Sequence, residues 1–206
     1  NCPEACEAFV SADGLRTLFP LFMGRGIGIK RTPGADAPER LSTHARKKQR
    51  LETQQRVDKA TLAAVQALFV GLSPGATPYR RLLRKFRELD REKCDRLVEL
   101  RVNLATQVSA ATEEAEEDGL SEDMTYLARV DAGLEQLQAC DVAVAAVLEH
   151  GGGTAAHLRN RLRQNRTNVD AVAETLRELA ADMSEKAANV AARLETLAKM
   201  CTTPAK

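Results

Sequence analysis

The sequence predicts an all-α protein, and three observations favour that class. Ala, Leu, Arg and Glu dominate the 206 residues, whereas Phe occurs five times, Tyr twice and Trp not at all. The abundant residues are good helix formers, and the aromatic residues typical of strands are scarce. From Leu62 onward, apolar residues recur at spacings of three and four, which is the period of a helix face. Stretches rich in glycine and proline separate these periodic segments, as loops between helices do.

The first 23 residues, NCPEACEAFVSADGLRTLFPLFM, predict two short helices. Pro3 suits the first position of a helix, and we expect Gly14 to end that helix as its C′ residue. Pro20 keeps the second helix short or kinks it, because proline lacks a backbone donor. This second helix is apolar on nearly every side: Leu15, Leu18, Phe19, Phe22 and Met23. It therefore needs neighbouring helices on more than one side.

The chain begins inside this apolar helical pattern, without an initiator methionine. We therefore expect part of its packing surface, the segment that covers Phe9, Val10 and Leu18, to be missing. On this hypothesis, residues 1 to 23 are the least protected part of the chain.

Residues 24 to 40, GRGIGIKRTPGADAPER, contain glycines and prolines without a period and predict a flexible loop. The closely spaced glycines suggest a phosphate loop, but that motif needs a strand before it and a helix directly after it, and neither is predicted. Basic residues concentrate from residue 25 to residue 50: Arg25, Lys30, Arg31, Arg40, Arg46, Lys47, Lys48 and Arg50. Such a stretch is typical of a nuclear-localisation or nucleic-acid-binding segment, and also of a solvated helix start.

A helix that ends near Leu72 comes next, and the segment SPGATP terminates it. Thr77, directly before a proline, fits the N-cap position of the following helix. The segment YRRLLRKFRELDREKCDRLVELRVNL then predicts two helices that meet near Asp90. We expect its charges to pair along the helix surface, for example Glu92 with Arg96.

Residues 113 to 123 contain seven acidic residues and no basic one. Because such a run repels itself, we expect a flexible acidic linker rather than a calcium loop, whose ligand register is missing. Ser121 can cap the helix that follows. The acidic run is also a candidate attraction site for a basic partner.

The second half of the chain predicts a long helix from about Asp123 to Glu149, which the glycines of HGGGT terminate. The next helix carries arginines on the side opposite its leucines: Arg159, Arg163 and Arg166. Thr167 followed by Asp170 fits a capping box for another helix. A last helix begins near Asp182, and we expect residues 201 to 206 to fray.

The sequence contains no recognisable catalytic, cofactor-binding or metal-binding site. Five cysteines are widely scattered: Cys2, Cys6, Cys94, Cys140 and Cys201. An odd number without a disulfide framework is typical of packed, reduced thiols in an intracellular compartment. Cys2 and Cys6 share a helix face, but no further Cys or His precedes His44 to complete a metal site. Neither His150 nor His157 stands at a recognisable spacing from a nucleophile.

The charge balance and hydropathy restrict the class of partner. Lys and Arg number 30 and Asp and Glu number 29, a formal net charge of +1. This balance argues against direct nucleic-acid binding by the chain as a whole. No apolar run approaches the ~20 residues that a membrane-spanning helix requires. We therefore expect neither a nucleic acid nor a membrane as the main partner.

Four blocks of the sequence resemble the catenin-beta-like family of armadillo-repeat proteins. They are NCPEACEAFVSADGLRTLFPLFM, YRRLLRKFRELDREKCDRLVEL, YLARVDAGLEQLQ and NRTNVDAVAETLRELAADM. The resemblance implies an all-α, armadillo-like right-handed superhelical solenoid, with C-terminal repeats plus a helical C-terminal cap. It also implies a repeat region at residues 1–72 with a basic flexible loop at 24–40. A helical C-terminal region at residues 73–206 then contains the acidic linker at 113–123.

The resemblance implies a non-enzymatic nuclear scaffold for protein–protein interaction in pre-mRNA splicing. Family members associate with the spliceosomal Prp19 complex and bind basic localisation segments of splicing proteins, such as the component related to cell division cycle protein five. A concave surface lined with carboxylates and amides suits such an extended Lys/Arg-rich segment. No short motif marks the partner-binding residues, and the sequence leaves both a monomer and a homo-oligomer open.

Two other function classes stay open at this point. A helical RNA-binding module could use Arg159, Arg163 and Arg166, or the basic stretch at residues 25–50. An enzyme could assemble its site across helices, which requires a pocket with strongly perturbed titratable groups.

Overall fold

The described part of the protein is helical throughout. The computed structural model describes residues 2–25, 43–183 and 187–202. These residues form α1 (Pro3–Ser11), α2 (Leu15–Phe22), α3 (Thr43–Gly71), α4 (Thr77–Arg87), α5 (Glu92–Glu117), α6 (Glu122–Asp131), α7 (Leu134–His150), α8 (Gly152–Gln164), α9 (Val169–Ala181) and α10 (Ala188–Thr202). A 3-10 turn at Leu89–Arg91 joins α4 to α5. No strand occurs over these ranges, so the all-α prediction is confirmed. Most of the loop predicted at 24–40 lies outside the described residues.

Helix α7 lies at the centre of the molecule. Helices from both halves of the chain pack against it, chiefly α3, α5, α9 and α10. Every residue from Leu137 to Leu148 is buried, and Asp141 is the only charged residue among them. The alanines and valines of this stretch let the neighbouring helices approach closely on all sides. A helix that is apolar all round is stable only in such a buried position.

A buried ion pair links α7 to α5. Asp141 is 0% exposed and Arg101 is 4% exposed. The Nε of Arg101 donates to Oδ1 of Asp141 at 2.5 Å, and Nη2 donates to Oδ2 at 3.2 Å. Burial raises the pKa of Asp141 to about 6, while Arg101 and the Thr175 side chain act in the opposite direction. The carboxylate is therefore ionised at neutral pH, and Arg101 compensates its buried charge.

The first two helices meet in a Schellman turn. The amide of Gly14 donates to the carbonyl of Phe9 at 2.9 Å, and the amide of Asp13 donates to the carbonyl of Val10 at 3.2 Å. Asp13, with a φ of 59°, occupies the left-handed C′ position predicted for Gly14. Gly14 instead accommodates the Phe9 ring, which would have to shift to make room for a Cβ 2.5 Å away. The predicted helix end is therefore confirmed, but its C′ residue is wrong by one position.

The expectation that the first segment is uncovered is wrong for most of its apolar residues. Val10 is 0% exposed and Leu18 is 7% exposed, whereas Phe9 is 39% exposed. Helix α3 packs against both α1 and α2, and α4 packs against α1. The ring centroids of Phe19 and Phe86 lie 5.4 Å apart in an edge-on contact between α2 and α4. Helices distant in sequence thus provide the cover.

Gly133 divides the long helix predicted from Asp123 to Glu149. Its φ of 108° is unfavourable for other residues, and a Cβ there would lie 2.9 Å from Leu104. The prediction of a single helix is therefore wrong, and α6 and α7 are separate. Helix α6 contains no fully buried residue, and an ion pair of 2.7 Å between Arg129 and Glu178 connects it to α9.

The predicted helix starts agree with the structure only in part. Ser121 caps α6, since its hydroxyl accepts a hydrogen bond of 3.4 Å from the backbone amide three residues on, as predicted. Asn168 caps α9 in place of Thr167, because its side chain accepts from the amide of Asp170 at 3.0 Å. Thr77 is the first residue of α4 rather than its N-cap.

The junction predicted near Asp90 is confirmed, but the ion pair predicted beside it is wrong. Residues 89 to 91 all have positive φ values, which separates α4 from α5. Arg96 pairs with Asp58 of α3 at 3.1 Å and, along its own helix, with Glu99 at 3.0 Å, and not with Glu92. A partner from another helix is available to Arg96, and periodicity within one helix cannot reveal it.

The acidic linker predicted at residues 113–123 is largely helical. Helix α5 continues to Glu117, and only residues 118–121 connect it to α6. Ala115 is 3% exposed within this stretch, and the Ser109 hydroxyl donates to Glu113 at 3.0 Å. The exposed carboxylates are solvated, so their mutual repulsion is too weak to unwind the helix. The prediction of a flexible connection is therefore wrong for residues 113–117.

Helix α10 docks on the body of the protein, a point that the sequence left open. One face of α10 is buried: Leu194, Leu197, Ala198 and Cys201. Arg193 donates to Glu149 at 2.7 Å and to the Tyr79 hydroxyl at 3.0 Å, which joins α10 to α7 and α4. The expected fraying is therefore wrong for Cys201, and residues 203–206 lie outside the described part.

The buried core runs from α1 to α10, and the predicted division of the chain into two regions at residue 72 stays a prediction.

The Arg101→Met substitution is expected to lower the free energy of unfolding by about 3–5 kcal/mol, because it leaves the Asp141 carboxylate buried without a partner. The double variant Arg101→Met/Asp141→Leu removes both charges and should recover most of that loss. Urea denaturation followed by circular dichroism measures both effects. A double variant as unstable as Arg101→Met alone would contradict the assigned role of the pair.

Burial also predicts the reactivity of the cysteines. It raises the pKa of the Cys94 and Cys201 thiols to about 12 and that of Cys140 well above its ordinary value. Because the thiolate is the reactive form, iodoacetamide at pH 8 should alkylate exposed Cys2 first and leave these three unmodified in the native protein. Peptide mass spectrometry reads the result, with urea-unfolded protein as the control in which all five react. Rapid alkylation of native Cys140 would disprove the central position of α7.

Candidate functional site

A groove lies between α3, α5 and the junction of α6 with α7. Its walls carry polar side chains: Glu52, Gln55, Arg56, Asn103, Gln107, Asp131 and Gln136. Its floor is formed by buried and half-buried apolar residues: Leu62, Leu100, Leu104 and Val130. We call it the amide groove, after Gln55, Asn103, Gln107 and Gln136. Hydrogen-bonding walls over an apolar floor suit a peptide segment better than an isolated ion.

The amides of the groove have unused hydrogen-bonding capacity. Gln55, Asn103 and Gln107 are exposed, and their side chains make no hydrogen bond to another described residue. The neighbouring Gln54 differs, because it donates to Asp58 at 2.8 Å. A side-chain amide offers both donors and an acceptor, so it can match the backbone of an extended chain.

One exposed face of α5 continues the amide groove into the acidic run. Asn103, Gln107, Ala110, Glu114 and Glu117 follow one another at steps of three and four, and all are exposed. We call these residues the α5 stripe. From Asn103 to Glu117 it extends about 21 Å at the rise of an α-helix. Roughly six residues of an extended chain span that length.

The charge along the groove is not uniform. Two basic side chains, Arg56 and Lys59, line the α3 wall, and Lys59 pairs with Glu135 at 3.4 Å. Glu52 and Asp131 also line the groove, so charges of both signs are present there, whereas Glu114 and Glu117 near the end of α5 have no basic partner among the described residues. A basic segment is therefore best accommodated with its cations near the end of α5 and its backbone near the amides.

The structure only partly assembles the arginines predicted for RNA binding. Arg163 is exposed, but Arg159 is half-buried and Arg166 lies beyond the end of α8 with a φ of 55°. In the basic stretch, Arg25 pairs with Glu92 at 2.9 Å. Others lie outside the described residues: Lys30, Arg31 and Arg40. The rest are exposed on the first turns of α3: Arg46, Lys47, Lys48 and Arg50.

One of the three histidines has an acidic partner that the sequence did not indicate. The Nε2 of His157 lies 2.9 Å from Oδ1 of Asp95, and the Nε of Arg161 lies 2.7 Å from the same oxygen. This cluster joins α8 to α5, and His44 and His150 are exposed elsewhere.

Within the described ranges, no three His, Cys, Asp or Glu side chains converge in a way that could hold a metal ion. Over the same residues, no helix has the length and hydropathy needed to cross a bilayer.

Sequence reasoning missed the amide groove because its walls are distant in the chain. They come from residues 51–62, 100–107 and 130–136. One signal in the sequence could have revealed the groove. Polar residues recur at regular spacing along the α5 stripe, which indicates that this face of the helix is not packed against the core.

Comparison with known proteins relates this geometry to a family. A family model described as "Catenin-beta-like, Arm-motif containing nuclear" matches residues 1–177. Beta-catenin-like protein 1 is 32% identical over 147 residues in Homo sapiens and 33% identical over 147 residues in Rattus norvegicus. The Bos taurus protein of that name is 31% identical. Each match covers 66% of this chain and 23% of the relative, so the chain corresponds to less than a quarter of those proteins.

The family match includes both walls of the amide groove and extends from α1 into α9. Together with the helical architecture, it confirms the armadillo-like fold prediction. From its sequence match and its fold, this chain belongs to the catenin-beta-like family of Arm-motif-containing nuclear proteins.

Proposed function

We propose that this chain is part of a non-enzymatic nuclear adaptor that binds basic, localisation-type segments of splicing proteins in the Prp19-associated spliceosome complex. The amide groove and the α5 stripe form the proposed binding surface. The observation that carries the proposal is the alignment of amides and carboxylates, unpartnered among the described residues, along one exposed face of α5. The family description, which includes the word nuclear, supports the proposed localisation.

The bound segment lies extended along α5. Its backbone hydrogen-bonds the amides of Asn103 and Gln107, and its apolar side chains contact the floor of the groove. Its Lys or Arg side chains reach Glu114 and Glu117. Each exposed ion pair contributes only about 0.2–1 kcal/mol, so the charges alone cannot hold a peptide. The backbone contacts and the apolar floor supply the remaining binding free energy.

RNA binding is the alternative function. The observation that favours it is the row of exposed basic residues on the first turns of α3: Arg46, Lys47, Lys48 and Arg50. RNA binding there requires an affinity that falls steeply with salt concentration and is lost on Ala substitution of these residues. The mixed charge of the amide groove is unsuited to a phosphate backbone. The two candidate functions therefore use different surfaces, the amide groove for a peptide and the first turns of α3 for RNA.

Neutralising the carboxylates of the α5 stripe is expected to weaken peptide binding. We expect a fluorescein-labelled eight-residue peptide with alternating Lys/Arg and apolar residues to bind about fivefold more weakly to Glu114→Gln/Glu117→Gln, because two exposed ion pairs of about 0.5 kcal/mol each are lost. The variant Asn103→Ala/Gln107→Ala should also weaken binding, but with less dependence on salt. Fluorescence anisotropy at 50 and 200 mM NaCl measures both effects.

The matched control is Glu116→Gln/Glu174→Gln. It removes the same charge from exposed positions, with Glu116 on the opposite face of α5 and Glu174 on α9. Binding to the control should stay within about twofold of the unmodified chain. Equal losses in the control and in the α5 stripe variant would show that net charge alone attracts the peptide. Tighter binding of an RNA octamer than of the peptide would favour the alternative function.

The splicing assignment is tested at the level of the whole protein. The full-length protein that contains this chain should retrieve subunits of the Prp19 complex from nuclear extract, and Glu114→Gln/Glu117→Gln should reduce the yield. Mass spectrometry measures the yield of each captured subunit, and the yield with Glu116→Gln/Glu174→Gln is the control. Absence of Prp19-complex subunits would contradict the splicing role while leaving the peptide-binding measurement intact.

A further inference from the structure

A second charged surface lies where α4 faces the junction of α7 with α8. Two adjoining depressions share Arg87 and His150. Their basic lining residues are Arg80, Arg81, Arg84, Arg87, Arg91 and His150, joined by the glycines at 151–153. No acidic residue lines either depression within the described part of the chain. We call this surface the arginine cleft.

We propose that the arginine cleft binds a phosphorylated acidic segment of a protein partner. This site is separate from the amide groove, and its existence does not depend on the function proposed for that groove.

Four of the five cleft arginines differ from Arg81, and from Lys85 of α4, because they lack partners among the described residues. Arg81 pairs with Asp13 at 2.7 Å, and Lys85 pairs with Glu88 at 3.2 Å. Within the described ranges, four arginines of the cleft make no hydrogen bond or ion pair to another residue: Arg80, Arg84, Arg87 and Arg91. Concentrated positive charge without compensation is unfavourable in the free protein. An anionic partner relieves that repulsion when it binds.

The start of α8 adds positive potential to the same place. The first turn of α8 has no acidic residue and no side-chain cap, so its backbone amides are available. The N-terminal end of a helix carries a partial positive charge of about +0.5. The Nη2 atom of Arg91 lies 3.2 Å from the position that a Cβ on Gly153 would occupy, which places a full positive charge beside that turn. The cation and the helix end therefore repel each other unless an anion lies between them.

A purely structural role explains only part of the arginine cleft. Arg84 and Arg87 stand in the last turn of α4, where cations interact favourably with the negative end of the helix dipole. Arg80 lies earlier in α4, and Arg91 lies after it, beside the positive end of α8. The dipole of α4 therefore accounts for two of the four arginines and leaves Arg80 and Arg91 unexplained.

The chemistry of the cleft favours a phosphorylated peptide over RNA. Guanidinium groups form paired hydrogen bonds with phosphate oxygens, and clusters of arginine are a recurring means of reading phosphorylated or acidic motifs. Single-stranded RNA is usually held by aromatic side chains that stack on its bases. The aromatic residue nearest in α4 is Tyr79, which is 3% exposed and cannot stack on a base. From Arg80 to Arg87 the row extends only about 10 Å, enough for one phosphate and its acidic neighbours.

The test measures binding of a fluorescein-labelled peptide of twelve residues, with one phosphoserine between Asp and Glu residues, to the whole chain. The same peptide without the phosphate and an RNA octamer are the comparison probes. We expect the phosphopeptide to bind at least about tenfold more tightly than either. Arg84→Gln/Arg87→Gln should weaken phosphopeptide binding at least about tenfold. The control Arg46→Gln/Arg163→Gln removes the same charge outside the cleft and should change binding by less than about twofold.

A second variant places a carboxylate inside the cleft. Gly153→Glu positions its own anion beside Arg91, so it should raise the melting temperature and weaken phosphopeptide binding at least about tenfold relative to Gly153→Gln. Glu114→Gln/Glu117→Gln should leave phosphopeptide binding unchanged, which separates this site from the amide groove. Equal weakening by Arg46→Gln/Arg163→Gln, equal affinity for either comparison probe, or no difference between Gly153→Glu and Gly153→Gln would overturn the proposal.

Discussion

The burial of α7 on all sides is the constraint on which the rest of the structure depends. Twelve consecutive residues from Leu137 to Leu148 avoid water only if helices from both halves of the chain surround them. Asp141 is the charged exception, and Arg101 must reach it from α5. Because an unpaired buried carboxylate is far more costly than a lost surface contact, this pair aligns α5 with α7.

The alignment of α5 determines what its outer face presents. Arg101 reaches α7 and is buried, as is Leu97, which leaves Asn103 and Gln107 in solvent beside α3 and Glu114 exposed further along α5. The amide groove is thus a consequence of core packing: the two walls are held at their separation by helices that meet on α7. A segment that binds there encounters side chains on rigid elements, so little conformational entropy is lost by the protein.

Core packing also determines the charged outer face of α4. Leu82, Leu83 and Phe86 are buried against the core, and the intervening arginines are therefore exposed. Gly151, with a φ of 73°, ends α7 and allows α8 to begin at once beside those arginines. The glycine run at 151–153 therefore ends α7 and also positions the backbone amides of the arginine cleft. The two surfaces differ in charge, because the arginine cleft is lined by basic residues whereas the amide groove carries charges of both signs.

The sequence by itself determined the helical class, the helix ends near Leu72 and at the glycine run 151–153, and the resemblance that the family match confirms, but not the break at Gly133. These are local properties, because helix propensity, capping and apolar spacing act over three or four residues. Only the tertiary structure decided that Val10 and Leu18 are covered, that Arg96 pairs with Asp58, and that residues 113–117 stay helical. It also decided which polar side chains share a groove. Each of these outcomes depends on helices that are distant in the chain, and no periodicity within a single helix carries that information.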